Sequence, residues 1–310
     1  MRLIFMGTPE FALPSLQRLL DDRVDVVAVV TAPDKPRGRG QKTSATPVKE
    51  FAVHHGLPLL QPESLRDSAF AAAIRSLDPD LVAVVAFRIL PREVFTIPRL
   101  GSFNLHASLL PKYRGAAPIP WAIINGERRT GVTTFLLQEA VDTGSILLQR
   151  SIEIGPDETA GDLHDRLAVV GADIVSKTVH LLTAGGVVPE RQDEAHATAA
   201  PKIFRDDCRI DWRLREELIH NRVRGLSPVP TAWTMHDERV LKIYRTRRLP
   251  GERTQTQVPG TIARRTNTEL LVLTGDGAIA IEEIQQEGKK RMSIVEFLRG
   301  YRIGEGDVLV

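Results

Sequence analysis

The chain has 310 residues, 42% of them hydrophobic and 26% charged, so it holds enough apolar material for packed cores. This composition excludes a disordered chain, a collagen-like fibre and a disulfide scaffold. The 41 Lys and Arg residues nearly balance the 39 Asp and Glu residues, which excludes a uniformly basic coat protein and leaves room for local basic patches. The length exceeds that of a usual single core, and we therefore expect two domains.

The lone cysteine and the short apolar runs bear on where the chain works. Cys208 can form neither an internal disulfide nor a cysteine-based zinc cage, and a reducing compartment is the default for such a chain. The opening apolar run stops at Gly7, too short for a secretory signal, and no stretch of ~18 uninterrupted apolar residues predicts a membrane span. The histidines lack metal-ligand spacing. We expect a cytoplasmic protein without a bound metal.

The first half of the chain alternates strand-like and helix-like segments. Ala-rich residues 68–77, and residues 162–182 with apolar side chains at helical spacing, predict helices. Such alternation predicts a mostly parallel, doubly wound α/β sheet of Rossmann-like type, covered on both faces. The runs that predict its strands are Leu3–Met6, Val26–Thr31, Leu81–Ala86, Ser102–His106, Gly131–Leu137 and Ile146–Ile154.

The composition and periodicity of the sequence change near Pro189. Residues 190–206 are polar and Ala-rich without a sustained period, which is typical of a linker. Short apolar runs with Gly-rich turns follow and predict a small β-barrel or sandwich. We therefore expect a domain at 1–189, a linker at 190–206 and a domain at 207–310. The strand-like runs of the second domain are Arg239–Tyr244, Gly260–Ala263, Glu269–Leu273 and Ala278–Ile284.

The stretch Asn104-Leu105-His106-Ala107-Ser108 is the most informative local pattern. In an extended strand, alternate side chains share a face, so Asn104, His106 and Ser108 point together. Ligands of a parallel sheet bind at the carboxyl ends of its strands, where this triplet lies. An amide can donate to a developing oxyanion and an imidazole can exchange a proton. The alternative is a structural histidine beside a turn asparagine.

Asp142 is a second candidate, in the sequence Asp142-Thr143-Gly144 between two predicted strands. A carboxylate there can orient the imidazole of His106 and set its protonation state. The alternative is an ordinary Asp-Thr-Gly turn residue, and on position alone this is the preferred interpretation.

Basic segments are the third feature. The loop Asp34–Lys42 follows the second predicted strand and carries Lys35, Arg37, Arg39 and Lys42, which can meet a polyanion or remain solvated. Residues 207–310 hold 18 Lys and Arg against 15 Asp and Glu, with clusters at 245–248, 264–265 and 289–291. Each cluster can equally be a solvated face. Neither the GxxxxGK[ST] phosphate loop nor the GxGxxG fingerprint occurs, which disfavours nucleotide-dependent chemistry.

These residues make the chain resemble the methionyl-tRNA formyltransferase family, essentially from end to end. The Asn-x-His-x-Ser-Leu-Leu-Pro element with a later Asp-x-Gly is shared by the enzymes of this fold that use 10-formyltetrahydrofolate. The segments that narrow the resemblance to the tRNA enzymes are the GTPEF start, the basic loop and the part beginning at RIDW. The matching segments are IFMGTPEFA (4–12), APDKPRGRGQK (32–42), TPVKEFA (46–52), FNLHASLLPKYRGAAPI (103–119), GVTTFLLQEAVDTGSIL (131–147) and RIDW (209–212).

The resemblance implies formyl transfer from 10-formyltetrahydrofolate to the α-amino group of methionine on initiator tRNA, by a monomer with a C-terminal, OB-like, tRNA-binding β-barrel. It implies that Asn104 and His106 stabilise the oxyanion and that Asp142 holds His106 and assists proton transfer. It implies folate contacts at Ser108, Leu109, Leu110, Pro111, Phe87, Arg88, Ile89 and Leu90. It implies tRNA contacts at Lys35, Arg37, Arg39, Lys42, Lys289, Lys290 and Arg291.

One position departs from the family pattern. Arg88 stands where the family commonly has glycine, and because glycine alone adopts positive φ freely, we expect altered backbone angles or pocket width there. Three rival functions are a formyltransferase acting on an amino-sugar nucleotide, a non-catalytic RNA-binding protein and a hydrolase that releases formate. The C-terminal part argues against the first, and the intact Asn104, His106 and Asp142 argue against the second. The third requires water in place of an amine acceptor.

Overall fold

The computed structural model describes residues 1–37, 42–250 and 258–310 of the chain. They form two compact units, each built from more than one stretch of sequence. The first unit comprises Met1–Gly115, Thr130–Ile152 and His164–Ala200. The second comprises Ala116–Arg129, Glu153–Leu163 and Pro201–Val310. Two segments from the first half of the chain, residues 116–129 and 153–163, thus belong to the second unit. Residues 190–200, whose composition is typical of a linker, belong to the first.

A seven-stranded sheet forms the core of the first unit. The strands of this part of the chain are β1 (Arg2–Gly7), β2 (Asp25–Val30), β3 (Lys35–Arg37), β4 (Lys42–Ser44), β5 (Leu59–Leu60), β6 (Leu81–Val85), β7 (Ser102–His106), β8 (Arg129–Leu136) and β9 (Ile146–Glu153). Strands β3 and β4 pair with each other, and the other seven follow the order β5-β2-β1-β6-β7-β8-β9. Neighbours from β5 to β7 are parallel, whereas β7 and β8 are antiparallel.

The prediction of a mostly parallel sheet is therefore confirmed. All six runs predicted as strands form strands of this sheet, with small differences at their ends. Every residue of β6 is buried, which explains its unbroken apolar sequence. The two-residue strand β5 was not predicted, because a run so short has no detectable period.

Eight helices occur among the described residues. Side-chain caps begin some of them: Thr46 accepts a hydrogen bond from the Lys49 N–H at the start of α2, and Asp67 accepts one from Ala69 at the start of α3. The helices are α1 (Leu13–Asp21), α2 (Pro47–His54), α3 (Ser68–Ser76), α4 (Arg92–Phe95), α5 (Pro118–Ile124), α6 (Ala160–Ala184), α7 (Glu216–Leu226) and α8 (Ile294–Gly300), and 3₁₀ turns span Glu10–Ala12, Glu194–His196 and Asp206–Cys208.

Helix α6 is long and apolar enough, by length and composition, to cross a membrane, with a mean hydropathy of 1.4 in its most apolar window. Half of that window is buried inside the structure, where Leu163, Leu167 and Val175 are fully covered. A buried core helix of this kind has the same composition as a membrane span, so the helix is weak evidence for one.

An antiparallel sheet with α7 and α8 forms the second unit. Its strands are β10 (Ala232–His236), β11 (Arg239–Pro250), β12 (Ile262–Arg265), β13 (Leu270–Leu273), β14 (Gly277–Gln286) and β15 (Met292–Ser293), in the order β10-β11-β14-β13-β12 with β15 beside β14. Ile219 and Val223 of α7 pack with Leu241, Ile243 and Ile279 of the sheet in one buried cluster.

The last three residues of the chain join the two edges of this sheet. Val308 bridges Thr261 next to β12, and Val310 exchanges two main-chain hydrogen bonds with Met235 of β10. The edge strands are therefore paired through the tail, which gives the unit the ring of hydrogen bonds that a barrel requires. The tail and β10 were not predicted, because neither carries a long alternating run.

Candidate active site

Strand β7 brings Asn104 and His106 to the carboxyl edge of the sheet. Leu105 between them points to the other face, since a Cβ at Gly171 of α6 would lie 2.6 Å from its side chain. Asn104 and His106 therefore share the face opposite α6, as strand alternation predicts. His106 is buried. Asn104 is half-buried, and its amide has no hydrogen-bond partner among the described residues.

The neighbours of His106 define the tautomer of its ring. Nε2 lies 2.7 Å from the main-chain oxygen of Tyr113. Because a carbonyl oxygen only accepts, Nε2 carries the proton. Nδ1 lies 3.7 Å from Oδ2 of Asp142. The ring thus presents Nδ1 as a proton acceptor beside a carboxylate that can pair with the proton once it is bound.

Asp142 reaches the histidine from the loop between β8 and β9. Its φ of 55° lies in the left-handed region, which aspartate tolerates better than most residues. Oδ2 also accepts a hydrogen bond from the Gly115 N–H at 2.9 Å. The loop lies so close to β8 that a Cβ at Gly144 would be 1.6 Å from the Leu136 oxygen, so only glycine fits. The structure therefore brings Asp142 and His106 together, although position alone favoured a turn residue.

The segment 190–200 supports both loops of the site. The N–H of Tyr113 donates to Oγ1 of Thr198, and the N–H of Ala200 donates to the oxygen of Arg114. Arg114 also pairs with Glu194 at 2.8 Å, and this hydrogen bond raises the pKa of the guanidinium. Sequence reasoning missed this role, because the segment has no periodic pattern and its partners are mostly main-chain atoms.

The predicted folate loop at residues 108–111 is held by hydrogen bonds to side chains of the first unit. The Ser108 hydroxyl is buried and donates to the oxygen of Lys112 at 2.6 Å. Thr133 donates to the oxygen of Ser108 and accepts from the Leu110 N–H. Gln149 donates to the oxygen of Leu110 at 2.7 Å. The loop is thus fixed on β8 and β9, while Leu109 and Pro111 remain partly exposed.

The second predicted folate segment, Phe87–Leu90, follows β6. Since β6 and β7 are parallel neighbours, this segment starts at the same edge of the sheet as Asn104. The positive φ falls at Ala86 (49°), while Arg88 adopts no such angle and therefore does not need the freedom of a glycine. The Arg88 guanidinium donates to the oxygens of Pro62 and Glu63, and its Nε is buried without a partner among the described residues.

The predicted basic loop forms a short hairpin. Lys35 is exposed. The main chain of Arg37 in β3 lies opposite that of Lys42 in β4. Arg39 lies outside the described residues. Asp34, directly before β3, forms an ion pair with Lys49 of α2.

The basic clusters of the second unit differ in how far they are paired. Arg247 lies near Glu269 and Glu282, and Arg248 pairs with Glu216. In the predicted tRNA cluster, Arg291 pairs with Glu283 and covers the ring of Tyr244, whereas Lys289 and Lys290 are exposed on the turn between β14 and β15. Carboxylates thus offset the charge of most of these arginines.

A different basic surface was missed by the sequence analysis. The guanidinium carbons of Arg205 and Arg209 lie 5.8 and 5.7 Å from the ring centre of Trp233, and Lys242 is the cross-strand neighbour of that tryptophan. We call these four residues the cation face. A cavity of about 490 Å³ beside it is lined by Arg205, Trp233 and Lys242. None of its three cations has an ion-pair partner among the described residues. The signal in the sequence is the run Lys202-Ile203-Phe204-Arg205, basic with an aromatic interleaved.

Among the residues that the structure describes, no group of three or more His, Cys, Asp or Glu side chains is arranged to hold a metal ion. The polar groups that remain available at the sheet edge are an amide, an imidazole and a carboxylate. Such a set suits proton transfer and the stabilisation of an oxyanion.

Comparison with known proteins defines the class. Residues 1–179 match the family model of formyl transferases, and residues 202–302 match the model of the formyl transferase C-terminal domain. Among solved structures, a sugar 3N-formyl transferase crystallised with dTDP and 5-N-formyl-THF has a TM-score of 0.67, at 19% identity, and the match covers 94% of this chain and 99% of the other. An N-formyltransferase of Helicobacter canadensis, in complex with folinic acid and dTDP-3-aminofucose, has a TM-score of 0.65, at 21% identity over 92% of this chain and 98% of the other.

Curated relatives with higher sequence identity identify a narrower family. The methionyl-tRNA formyltransferase of Geotalea uraniireducens is 50% identical over 310 residues, which cover all of this chain and 98% of the relative. That of Caldanaerobacter subterraneus is 48% identical over the full length of both chains. The chain belongs to the methionyl-tRNA formyltransferase family.

Proposed function

We propose that this enzyme transfers a formyl group from 10-formyltetrahydrofolate to the α-amino group of methionine on initiator methionyl-tRNA. The product is N-formylmethionyl-tRNA, which serves translation initiation. The observation that carries the proposal is the arrangement of Asn104, His106 and Asp142 at one sheet edge, in a chain 50% identical along its length to a methionyl-tRNA formyltransferase.

The three side chains suit three tasks of such a transfer. The folate supplies the formyl group when bound. The amide of Asn104, which has no partner among the described residues, donates to the oxygen that gains negative charge as the amine attacks. The attacking amine must lose a proton. Nδ1 of His106 is the open acceptor, and Asp142 lies 3.7 Å away to pair with the proton.

The proton then returns to the folate nitrogen as the carbon–nitrogen bond to the donor breaks. One C–N bond forms and one breaks, and one proton moves from the amine to the leaving nitrogen, so no redox partner is required. Nε2 of His106 keeps its proton throughout and donates it in a hydrogen bond to the Tyr113 oxygen, so Nδ1 is the atom that exchanges a proton.

The donor fits the segments that follow β6 and β7. Ile89 is 74% exposed, which leaves an apolar side chain available to a flat ring, and Nε of Arg88 is a buried donor without a partner among the described residues. Ser108–Pro111 is held rigidly by Thr133 and Gln149. We propose that Phe87–Leu90 and Ser108–Pro111 contact the folate through main-chain atoms and apolar side chains.

The tRNA contacts divide between the two units. We assign Lys35, Arg37, Arg39 and Lys42 of the hairpin region to the acceptor end, and Lys289, Lys290 and Arg291 to the second unit. The cation face joins the latter set, because unpaired cations beside an aromatic ring suit phosphates and unstacked bases. Arg291 contributes least, since Glu283 already offsets its charge.

We further propose that the enzyme is a cytoplasmic monomer. Cys208 is buried, and burial raises the pKa of its thiol, so it is protected from oxidation in the folded chain. Sedimentation of the purified chain should give a single species of 34.3 kDa.

An acceptor panel tests the function directly. The purified chain is incubated with 10-formyltetrahydrofolate labelled in the formyl group and, separately, initiator methionyl-tRNA, elongator methionyl-tRNA, dTDP-3-aminofucose or no acceptor. We expect label on the initiator tRNA alone. Equal transfer to the elongator, transfer to the amino sugar, or release of formate without an acceptor would each contradict the proposal and identify its replacement.

A further inference from the structure

Gln192 is a buried amide whose every polar atom is used. It is 4% exposed. Its Nε2 donates to the main-chain oxygens of Asp142 and Gly144 at 2.9 and 2.8 Å. Its Oε1 accepts from Nε and Nη2 of Arg114 at 3.0 and 2.7 Å. One side chain therefore makes four hydrogen bonds and bridges two loops of the active site.

The first of these loops determines where the Asp142 carboxylate lies. Asp142 has a φ of 55°, in the left-handed region that residues other than glycine adopt uncommonly. Gln192 binds the main-chain oxygen of that same residue and the oxygen two positions later. The amide thus clamps the loop on both sides of Thr143.

The second loop carries the main-chain N–H that donates to the Asp142 carboxylate. Oδ2 of Asp142 accepts the N–H of Gly115, and Gly115 follows Arg114, whose guanidinium binds Gln192. A Cβ at Gly115 would lie 2.7 Å from the Ala200 oxygen, so the loop is also pressed against the segment that carries Gln192. The distance between Asp142 and His106 therefore depends on both loops, and Gln192 is the side chain that connects them.

We propose that Gln192 is a positioning residue of formyl transfer, which holds Asp142 in reach of Nδ1 of His106 by tying the Asp142–Gly144 loop to Arg114. The inference rests on the proposed function of the same site. Gln192 touches neither reacting group, and it acts through Asp142.

The chemistry requires an amide at this position. The carbonyls of Asp142 and Gly144 need a donor, and the Arg114 guanidinium needs an acceptor, and glutamine supplies both from one planar group. Glutamate offers only acceptors when ionised and would face two carbonyls without a hydrogen. Methionine has a similar length and volume but neither function, so it tests the hydrogen bonds with little change in packing.

Gln149→Met is the comparison variant. Gln149 is an exposed amide of the same unit, and its Nε2 donates to the oxygen of Leu110 in the folate loop and to Oγ1 of Thr133 in β8. Each substitution removes one amide that holds one loop, so the two variants should differ in the kinetic constant that they change. If each amide positions its own loop, Gln149→Met should raise the KM for the folate, and Gln192→Met should lower kcat.

The experiment compares both variants with the wild type in steady-state kinetics and in the NMR nitrogen chemical shifts of the His106 ring at one fixed pH. For Gln192→Met we expect kcat to fall about 10- to 100-fold, as for the groups that orient metal ligands in other proteins, with both KM values within about twofold. We expect the Nδ1 chemical shift of His106 to change in Gln192→Met and not in Gln149→Met, and we expect Gln192→Met to lower kcat little further in an Asp142→Asn background.

A Gln192→Met enzyme with unchanged kcat and unchanged His106 chemical shifts would overturn the inference. A loss of activity that accompanies a lower fraction of folded protein, with wild-type His106 chemical shifts, would overturn it as well. An inactive wild type would instead refute the proposed function, and the chemical shifts still test the positioning role in that case.

Discussion

The active site and the cation face differ in how many of their polar groups have partners within the protein. Around His106, most polar groups other than the Asn104 amide and Nδ1 of His106 are engaged: Nε2 donates to the Tyr113 oxygen, Asp142 accepts from Gly115, and Gln192 binds two loops. On the cation face, Arg205, Arg209 and Lys242 have no acidic partner among the described residues.

The difference follows from what each region must do. A group that moves a proton must be held within a fraction of an ångström, and buried hydrogen bonds achieve that. A surface that binds a polyanion gains affinity by neutralising phosphates, and cations already paired with carboxylates contribute less to it. Substitutions in the first region should therefore change kcat, and those in the second should change tRNA affinity.

The largest effect is expected for Asp142→Asn. Asparagine tolerates the left-handed backbone as aspartate does, so the variant removes the charge and retains the loop. We expect kcat to fall by about 10³-fold, because the partner of the His106 proton is lost. Rapid-quench assays of formyl transfer at saturating substrates measure it. Asp142→Ala should cost at least as much, since alanine is also strained at a φ of 55°. A kcat within tenfold of the wild type would contradict the role.

Asn104→Leu comes next. Leucine keeps the volume of the side chain but removes the only free amide donor at the described sheet edge, and we expect a loss of about 10²-fold in kcat. Asn104→Asp retains the shape and replaces the donor by an acceptor, so it should be impaired at least as strongly. An active Asn104→Asp enzyme would show that the residue does not donate.

A smaller effect is expected on the cation face. Lys242→Gln should raise the KM for tRNA by roughly 3- to 10-fold and lower the slope of log affinity against log salt by about 1, with kcat unchanged. Arg247→Gln is the matched control, because it removes the same charge from a side chain that already lies near Glu269 and Glu282. Equal effects of both variants would mean that pairing does not distinguish the two surfaces.

The smallest effect concerns stability against pH. His220 is buried and hydrogen-bonded to Thr246, and burial lowers the pKa of its ring below the ordinary value of 6.5. The unfolded state therefore binds the proton first, so the free energy of unfolding should decrease as the pH falls below about 6.5. Thermal unfolding from pH 7.5 to 5.5 should show a shallower decline for His220→Gln than for the wild type. Parallel declines would exclude His220 as the cause.

How much of this could be read from the sequence depends on the range of the interactions. The buried strands follow from unbroken apolar runs, and the common face of Asn104 and His106 follows from strand alternation. The approach of Asp142 does not, because it depends on a left-handed backbone and on the close passage of Gly144 past β8. Gln192 escaped notice because half of its partners are main-chain carbonyls, which every sequence contains.

The cation face shows the same limit in another form. Trp233 and Lys242 are neighbours only because β10 and β11 pair in one register, and β10 itself lacks a clear sequence signal. Conversely, the clusters at 245–248 and 264–265 look available in the sequence, yet Arg248 pairs with Glu216 and Arg264 with Glu269 in the folded chain. The local sequence shows which side chains are charged, but only the fold shows whether each of them is paired with an opposite charge.

One measurement tests the division between the two regions most directly. The single-turnover rate of formyl transfer to initiator methionyl-tRNA is determined at saturating tRNA for the wild type, Asp142→Asn and Lys242→Gln. The account predicts a rate about 10³-fold lower for Asp142→Asn and a wild-type rate for Lys242→Gln. A wild-type rate for Asp142→Asn, or an equal loss in both variants, would contradict it.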